Sequence, residues 1–214
     1  MAKALAKRLG YRYIDSGAMY RAVTLYAMRH GLLGDIAALV SHLDNIDINF
    51  RVNPDGSQST LLNGEDVERE IRSMEVSAHV SDIATVGEIR RAMVKKQQAL
   101  GADKGIVMDG RDITTVVFPD AELKIFVDAS DETRAKRRFN ELRAKGDSDT
   151  SYEQILENIR KRDFTDTHRQ ESPMFKAPDA VSLDNSQMSI EEQNDFLDNL
   201  VKQRLEGIRN ESRR

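Results

Sequence analysis

The sequence predicts an α/β protein in which short parallel strands alternate with helices, interrupted by a small antiparallel β insert. Short apolar runs, such as residues 106–108 and 123–127, alternate with helical stretches. This alternation is typical of a parallel sheet covered by helices on both faces. Between residues 41 and 70, alternating apolar and polar positions with two Gly-containing turns indicate antiparallel strands. A length of 214 residues fits one domain carrying an insert.

Each element has a local signal. Helices are predicted over residues 1–9, 18–30, 74–84, 87–100, 130–146 and 152–169, and from residue 189 onward. Strands are predicted over residues 11–14, 46–52, 60–62, 106–108, 123–127 and 181–183. Gly10 ends the first helix, because glycine adopts the left-handed backbone of a helix end. Ser151 with Gln154, and Ser189 with Glu192, have the spacing of capping boxes. Residues 53–56 form the first turn of the insert.

Composition excludes several classes of protein. Asp and Glu (36) outnumber Lys and Arg (32), and the net charge of −4 argues against a nucleic-acid or membrane-surface binder. The absence of cysteine excludes disulfides, thiolate zinc sites and a cysteine nucleophile. No apolar run approaches the ~18 residues of a membrane span. We expect a cytoplasmic protein. We also expect a monomer, because no apolar surface stripe is left over.

Two motifs stand where predicted strands end. Asp15, Ser16 and Gly17 lead into a helix that carries Arg21, and free N–H groups at a helix start bind anions. A helix cap with a solvated arginine is the alternative. The second motif is the run 109–112, Asp-Gly-Arg-Asp, after an apolar strand. Such a strand end places a carboxylate near Mg²⁺ in many phosphate-transfer proteins, and an ordinary strand-end turn is the alternative.

Two arginine groups lie on later helices. Arg134, Arg137 and Arg138 share one helix face, which is unfavourable without an anionic partner such as a phosphoryl group. A solvated face offset by nearby acids is the alternative. The second group consists of Arg162, Asp166 and Arg169, spaced i, i+4 and i+7. This row fits a ribose and phosphate grip or an ordinary surface ion-pair ladder.

Four stretches together resemble the bacterial cytidylate kinase family of nucleoside monophosphate kinases. They are YIDSGAMYRAV (13–23), LNGEDVEREIRSMEVS (62–77), GIVMDGRDITTVVFPDAELKIFVDAS (105–130) and ILENIRKRD (155–163). The resemblance implies one P-loop NTPase-type domain with its core in residues 1–40 and 100–214. It also implies a nucleotide-binding insert at about 41–99 and a short helical lid at about 131–150. The implied reaction transfers the γ-phosphate of ATP to CMP or dCMP, with Mg²⁺ bound through ATP and no metal site on the protein.

The resemblance also implies a role for each candidate residue. The ligands of the acceptor phosphate are Ser16, Arg21 and Arg111. The residues that read the cytosine edge are Ser81, Arg90 and Asp112. The sugar and phosphate grip is Arg162, Asp166 and Arg169. The catalytic residues are Arg134, Arg137, Arg138 and Asp109. Ser and Asp accept from the cytosine amino group and Arg donates to the ring, so uracil presents the opposite pattern and is disfavoured.

One departure from the family affects the expected activity. The family begins with a strand, central in the sheet between the strands matching 106–108 and 180–183, and a G-x-x-x-x-G-K-[ST] loop. This loop occurs nowhere in the 214 residues. We therefore expect about 20 residues before Met1 in the natural protein, and little kinase turnover and reduced stability from this chain. The alternatives are a CMP-binding pseudoenzyme or sensor without ATP turnover, and an RNA-binding protein.

Overall fold

The structure is a computed structural model that describes residues 1–55, 57–144, 146–147 and 149–211. Its α-helices are α1 (Ala2–Leu9), α2 (Ser16–Arg29), α3 (Ile36–Ser41), α4 (Met74–Ile83), α5 (Gly87–Leu100), α6 (Asp131–Ala144), α7 (Tyr152–His168) and α8 (Ile190–Glu211). Its strands are β1 (Arg12–Asp15), β2 (Ile48–Val52), β3 (Gln58–Leu62), β4 (Glu65–Asp66), β5 (Ile106–Asp109), β6 (Ile125–Asp128) and β7 (Val181–Asp184). The predicted α/β class is confirmed.

The helix ends follow the capping residues in the sequence. Gly10 closes α1 with a left-handed φ of 66°. The capping box of Ser151 and Gln154 opens α7, as predicted. Helix α2 begins at Ser16, two residues earlier than predicted, because the Asp15 carboxylate accepts a hydrogen bond from the Ala18 N–H at 2.9 Å. The short helix α3 was not predicted.

The parallel sheet is present as two separate pairs of strands. Strand β1 pairs with β5, and β6 pairs with β7, both in parallel register. No described strand joins the two pairs. The sheet is thus divided at the place where the family resemblance puts its first strand, between residues 106–108 and 180–183.

The division leaves the strands less covered than the sequence indicates. Residues 106–108 and 123–127 were predicted to be buried, but β5 and β6 are half-buried and their last residues are exposed. Val127 is 42% exposed and Val181 is 36% exposed. The physical reason is that each of these pairs has only two described strands, so their apolar side chains are only partly covered.

The predicted antiparallel insert is confirmed as a sheet in the order β2-β3-β4. Ile48 lies opposite Leu62, and both side chains are buried. Gly56, predicted in the turn between these strands, lies outside the described residues. The insert therefore has one face toward the core, as its alternating pattern indicates.

The apolar interior is organised in two clusters of unequal size. The larger one joins helix α2 with the insert and with α4 and α5, through fully buried side chains such as Met19, Ile46, Ile71 and Met93. The smaller one, around Leu5, Leu183 and Leu197, joins α1, β7 and α8. Helix α2, which begins at the predicted site, thus packs against the insert.

A buried glutamine provides a test of this packing. Gln97 on α5 is 1% exposed, and neither polar atom of its amide has a partner among the described residues. A buried polar group without a partner costs about 1–3 kcal/mol. We expect Gln97→Met to raise the free energy of unfolding by about 1 kcal/mol, and the melting temperature by about 3 °C.

Gln98→Met is the matched control, because the neighbouring side chain is exposed and donates to the Val117 carbonyl at 3.1 Å. Loss of this hydrogen bond in Gln98→Met should leave the free energy of unfolding unchanged or slightly lower. Thermal unfolding of both variants measures the contrast. A drop in stability for Gln97→Met would show that the amide has a partner.

Candidate active site

Parallel pairing brings the first two motifs to one edge of the sheet. Asp15 lies opposite Asp109 at the carboxyl ends of β1 and β5, which is where open α/β sheets bind ligands. The buried Ser16 hydroxyl donates to the Asp109 carbonyl at 2.7 Å. A Cβ on Gly110 would lie 2.2 Å from that hydroxyl oxygen. Glycine at this position is therefore a condition for the contact between the two motifs.

Arg21 lies one turn further along α2 and faces the insert. It donates through one guanidinium nitrogen to the Ile71 carbonyl at 3.2 Å and to the Ser77 hydroxyl at 2.8 Å. No carboxylate among the described residues forms an ion pair with it. Burial, and then the positive charges of Arg162, Arg72 and Arg138, lower the pKa of Arg21 to about 10. The guanidinium therefore stays charged at neutral pH, and an anion here would offset the surrounding positive charge.

A buried ion pair forms the second part of the site. Arg90 and Asp112 are 2% and 4% exposed, and their side chains are in direct contact. Arg90 also donates to the Ala84 carbonyl at 2.8 Å. Ser81 is half-buried on α4 and has no hydrogen-bond partner among the described residues. The predicted cytosine readers Arg90 and Asp112 are thus in contact with each other, and Ser81 forms no hydrogen bond with either side chain.

Asp166 holds three arginines around one carboxylate. Arg111 binds one of its oxygens at 3.0 Å, Arg169 binds the other at 2.9 Å, and Arg162 lies 3.7 Å away. Asp166 and Arg169 are buried, so the alternative of a solvated surface ladder is wrong. Burial and the charge of Arg111 lower the pKa of Arg162. Three positive charges share one negative charge, which leaves the cluster with a net positive charge.

Comparison with known proteins identifies the family of the chain. A sequence model of the cytidylate kinase family matches residues 1–203. The cytidylate kinase of Parabacteroides distasonis is 58% identical over 202 residues, which are 92% of this chain and 88% of that protein. The cytidylate kinase of Phocaeicola vulgatus is 55% identical over 212 residues, which are 97% of this chain and 92% of that protein.

The chain belongs to the cytidylate kinase family. The resemblance that the four sequence stretches indicate is thereby confirmed. The roles that this resemblance implies for individual residues stay predictions, and the structure shows which of those residues lie together.

The arginines expected in the family's lid have partners within the chain. Arg134 pairs with Asp131 and, at 2.6 Å, with Asp163 on α7. Arg137 donates to the side chain and the carbonyl of Asn185. Arg138, whose side chain is 42% exposed, pairs with Glu141 at 3.4 Å. Its positive charge also helps to lower the pKa of Arg21.

Ion pairs attach the expected lid helix to its neighbour. Arg160 on α7 binds Asp131 at 3.2 Å and Glu132 at 2.8 Å on α6. Helices α6 and α7 are therefore joined near the start of the predicted lid, residues 131–150. Positions 145 and 148 of that lid lie outside the described residues.

Two residues at the sheet edge were not predicted from the sequence. The Tyr13 hydroxyl donates to the Asp109 carboxylate at 2.9 Å, and Arg72 from the insert binds Asp15 at 3.0 Å. Protein atoms displace much of the water around Asp109, although its side chain reaches solvent. This desolvation, and then the Asp15 carboxylate, raise the pKa of Asp109. Tyr13 lies inside the family motif YIDSGAMYRAV, which is the signal that could have identified it.

Within residues 1–55, 57–144, 146–147 and 149–211, no three His, Asp or Glu side chains come together as metal ligands. No helix in the same part of the chain combines the length and apolarity needed to cross a membrane.

Substitution of Gly110 tests the contact between the two motifs. The added Cβ of Gly110→Ala meets Ser16 at 2.2 Å and Ile113 at 2.9 Å. We expect this variant to lose about 1–3 kcal/mol of stability.

Gly207→Ala in α8 is the control, because nothing lies within 4 Å of its added Cβ. It should gain about 0.5–1 kcal/mol, since alanine favours a helix. Thermal unfolding of the two variants should therefore shift in opposite directions. Equal stability of Gly110→Ala and the parent would contradict the close approach.

Proposed function

We propose that this site binds CMP or dCMP as the acceptor of the γ-phosphoryl group of ATP, giving ADP and CDP or dCDP. The proposal is supported by two features that the site combines. One is the positive cluster around Arg21, in which the charges of Arg162 and Arg138 act on a guanidinium without a carboxylate partner. The other is the buried Arg90–Asp112 pair. A phosphate monoester and a base with mixed donors and acceptors are the groups that these features complement.

The phosphate of the acceptor nucleotide would lie against Arg21, with Arg111 and Arg162 behind it. Burial and the repulsion of neighbouring arginines lower the pKa of Arg21 and of Arg162, and a bound phosphate would offset that repulsion. The Ser16 hydroxyl already donates to the Asp109 carbonyl, so it would have to rotate before it could donate to phosphate. Catalysis would consist of positioning the acceptor oxygen and stabilising negative charge.

The base would face the Arg90–Asp112 pair. Ionised Asp112 only accepts hydrogen bonds and Arg90 only donates them. The cytosine amino group donates, and its ring nitrogen and carbonyl accept. Uracil offers a carbonyl in place of the amino group, and that carbonyl would meet the Asp112 carboxylate. A buried group left without a partner costs enough to separate the two bases.

Mg²⁺ would arrive with ATP and neutralise its phosphate charge. Asp109 stands at the end of β5, with one oxygen bound to the Tyr13 hydroxyl and the other free of described partners. Asp109 is therefore the carboxylate that would lie beside the metal. The CMP-binding sensor without ATP turnover uses the same acceptor residues and remains the second candidate.

Two assays on the same preparation test the proposal and separate the candidates. Isothermal titration should detect CMP and dCMP binding, with UMP at least about tenfold weaker. A coupled assay for ADP release with ATP, Mg²⁺ and CMP then measures turnover. Binding with turnover supports the kinase and rules out the sensor. Binding without turnover fits the sensor, and it equally fits a kinase whose turnover needs the G-x-x-x-x-G-K-[ST] loop that these 214 residues lack. Failure to bind CMP would contradict both. The expectation of little turnover from these residues stays a prediction that the second assay checks.

Arg21 and Arg29 on helix α2 provide a matched pair of variants. We expect Arg21→Gln to weaken CMP binding by about 10- to 100-fold, because a hydrogen bond between charged groups is lost. Titration calorimetry measures the change.

Arg29 binds Glu65 and Glu70 on the insert at 2.7 and 2.6 Å and lies outside the proposed site. Arg29→Gln should lower stability by about 1 kcal/mol and leave CMP affinity unchanged. Equal affinities of Arg21→Gln and Arg29→Gln would refute the phosphate role of Arg21.

A further inference from the structure

Three polar atoms around the proposed nucleotide site are buried without a hydrogen-bond partner among the described residues. They are the hydroxyl of Tyr20, Nε of Arg90 and Nη2 of Arg169. Buried polar groups in folded proteins are nearly always bonded, so a group of them at one place needs an explanation. Arg90 and Arg169 already have proposed roles toward the nucleotide. Tyr20 has none.

Tyr20 lies beside the Arg90–Asp112 pair, and the charges of both ion pairs of the site act on it. Its ring is 8% exposed and lies beneath the Arg90 guanidinium, whose central carbon is 5.3 Å from the ring centroid. The charges of Arg90 and Asp112 act on its hydroxyl from one pair, and those of Arg169 and Asp166 act from the other. Burial raises the pKa of Tyr20 to about 12. The hydroxyl is therefore a neutral donor and acceptor at physiological pH.

We propose that Tyr20 is a further nucleotide-binding residue, whose hydroxyl hydrogen-bonds the pyrimidine nucleotide where the base meets the sugar. The inference rests on the proposed function, which assigns the Arg90–Asp112 pair to the base, and on the family resemblance, which implies a sugar role for Asp166 and Arg169. A hydroxyl that lies in the field of both pairs faces the junction of the two parts of the ligand. The carbonyl of the base and the sugar hydroxyls are the polar atoms available there.

A second tyrosine on the same helix shows what a purely structural role requires. Tyr26 is buried to the same degree, at 6% exposed, but its hydroxyl is hydrogen-bonded to Nδ1 of His42 at 3.0 Å. Its ring also stacks on His30 with the centroids 4.0 Å apart. Tyr20 lacks such a partner for its hydroxyl. A phenylalanine would supply the same ring to Arg90, so packing alone does not account for the hydroxyl.

The two tyrosines give a matched pair of single-atom deletions. CMP affinity by titration calorimetry and the melting temperature of the free chain are measured for the parent, Tyr20→Phe and Tyr26→Phe. We expect Tyr20→Phe to weaken CMP binding by about fivefold, since one hydrogen bond to the ligand is lost. Its melting temperature without ligand should be unchanged or higher. We expect Tyr26→Phe to melt at a lower temperature and to bind CMP with the affinity of the parent.

The results separate failure of the Tyr20 role from failure of the proposed function. If the parent chain does not bind CMP, the proposed function fails, and the role of Tyr20 fails with it. If the parent binds CMP and Tyr20→Phe binds it equally well, the role of Tyr20 alone is overturned. A lower melting temperature of free Tyr20→Phe would also overturn it, because the hydroxyl would then have a partner within the protein.

Discussion

The site depends on the parallel pairing of β1 with β5. This register places Asp15 opposite Asp109 and so brings two motifs that are more than 90 residues apart to one edge of the sheet. The contact between Ser16 and the Asp109 carbonyl closes that edge, and it exists only because Gly110 has no side chain. Arg111 and Asp112 follow directly, and their side chains reach the two ion-paired groups of the site. A different register would separate Asp15 from Asp109 and Ser16 from the Asp109 carbonyl.

Charge is distributed unequally over this edge. The chain as a whole is acidic, with a net charge of −4, yet the cluster around Arg21 and Asp166 holds more guanidinium than carboxylate groups. Two carboxylates, Asp112 and Asp166, hold the surrounding arginines in place and offset part of their repulsion. The remaining positive charge would favour the binding of an anion, as the proposed function requires, because burial limits its screening by water.

The insert is attached to the site through helix α2. A 3₁₀ helix, Glu70–Arg72, lies along α2 and meets it at three places: Arg29 binds Glu70, Arg21 binds the Ile71 carbonyl, and Arg72 binds Asp15. Helix α2 also forms the larger apolar cluster together with the insert. The position of Arg21, which is expected to hold phosphate, is therefore set jointly by the sheet edge and by the insert.

The sequence by itself determined the class of fold, the order of nearly all the elements and the family. Apolar periodicity, glycine at helix ends and capping pairs such as Ser151 with Gln154 are local signals, and local signals survive without tertiary contacts. It also supplied the candidate site residues, through two motifs at strand ends, two arginine groups on helices and the family resemblance.

Only the tertiary structure decided how those residues are paired. Periodicity predicted Arg162, Asp166 and Arg169 as one row. The environment of that row depends on the tertiary structure, in which Arg111, just after β5, binds Asp166. The free hydroxyl of Tyr20 and the bonded hydroxyl of Tyr26 look alike in the sequence. They differ because the fold brings His42 to the hydroxyl of Tyr26. Contacts between residues that are distant along the chain produce no periodic pattern in the sequence.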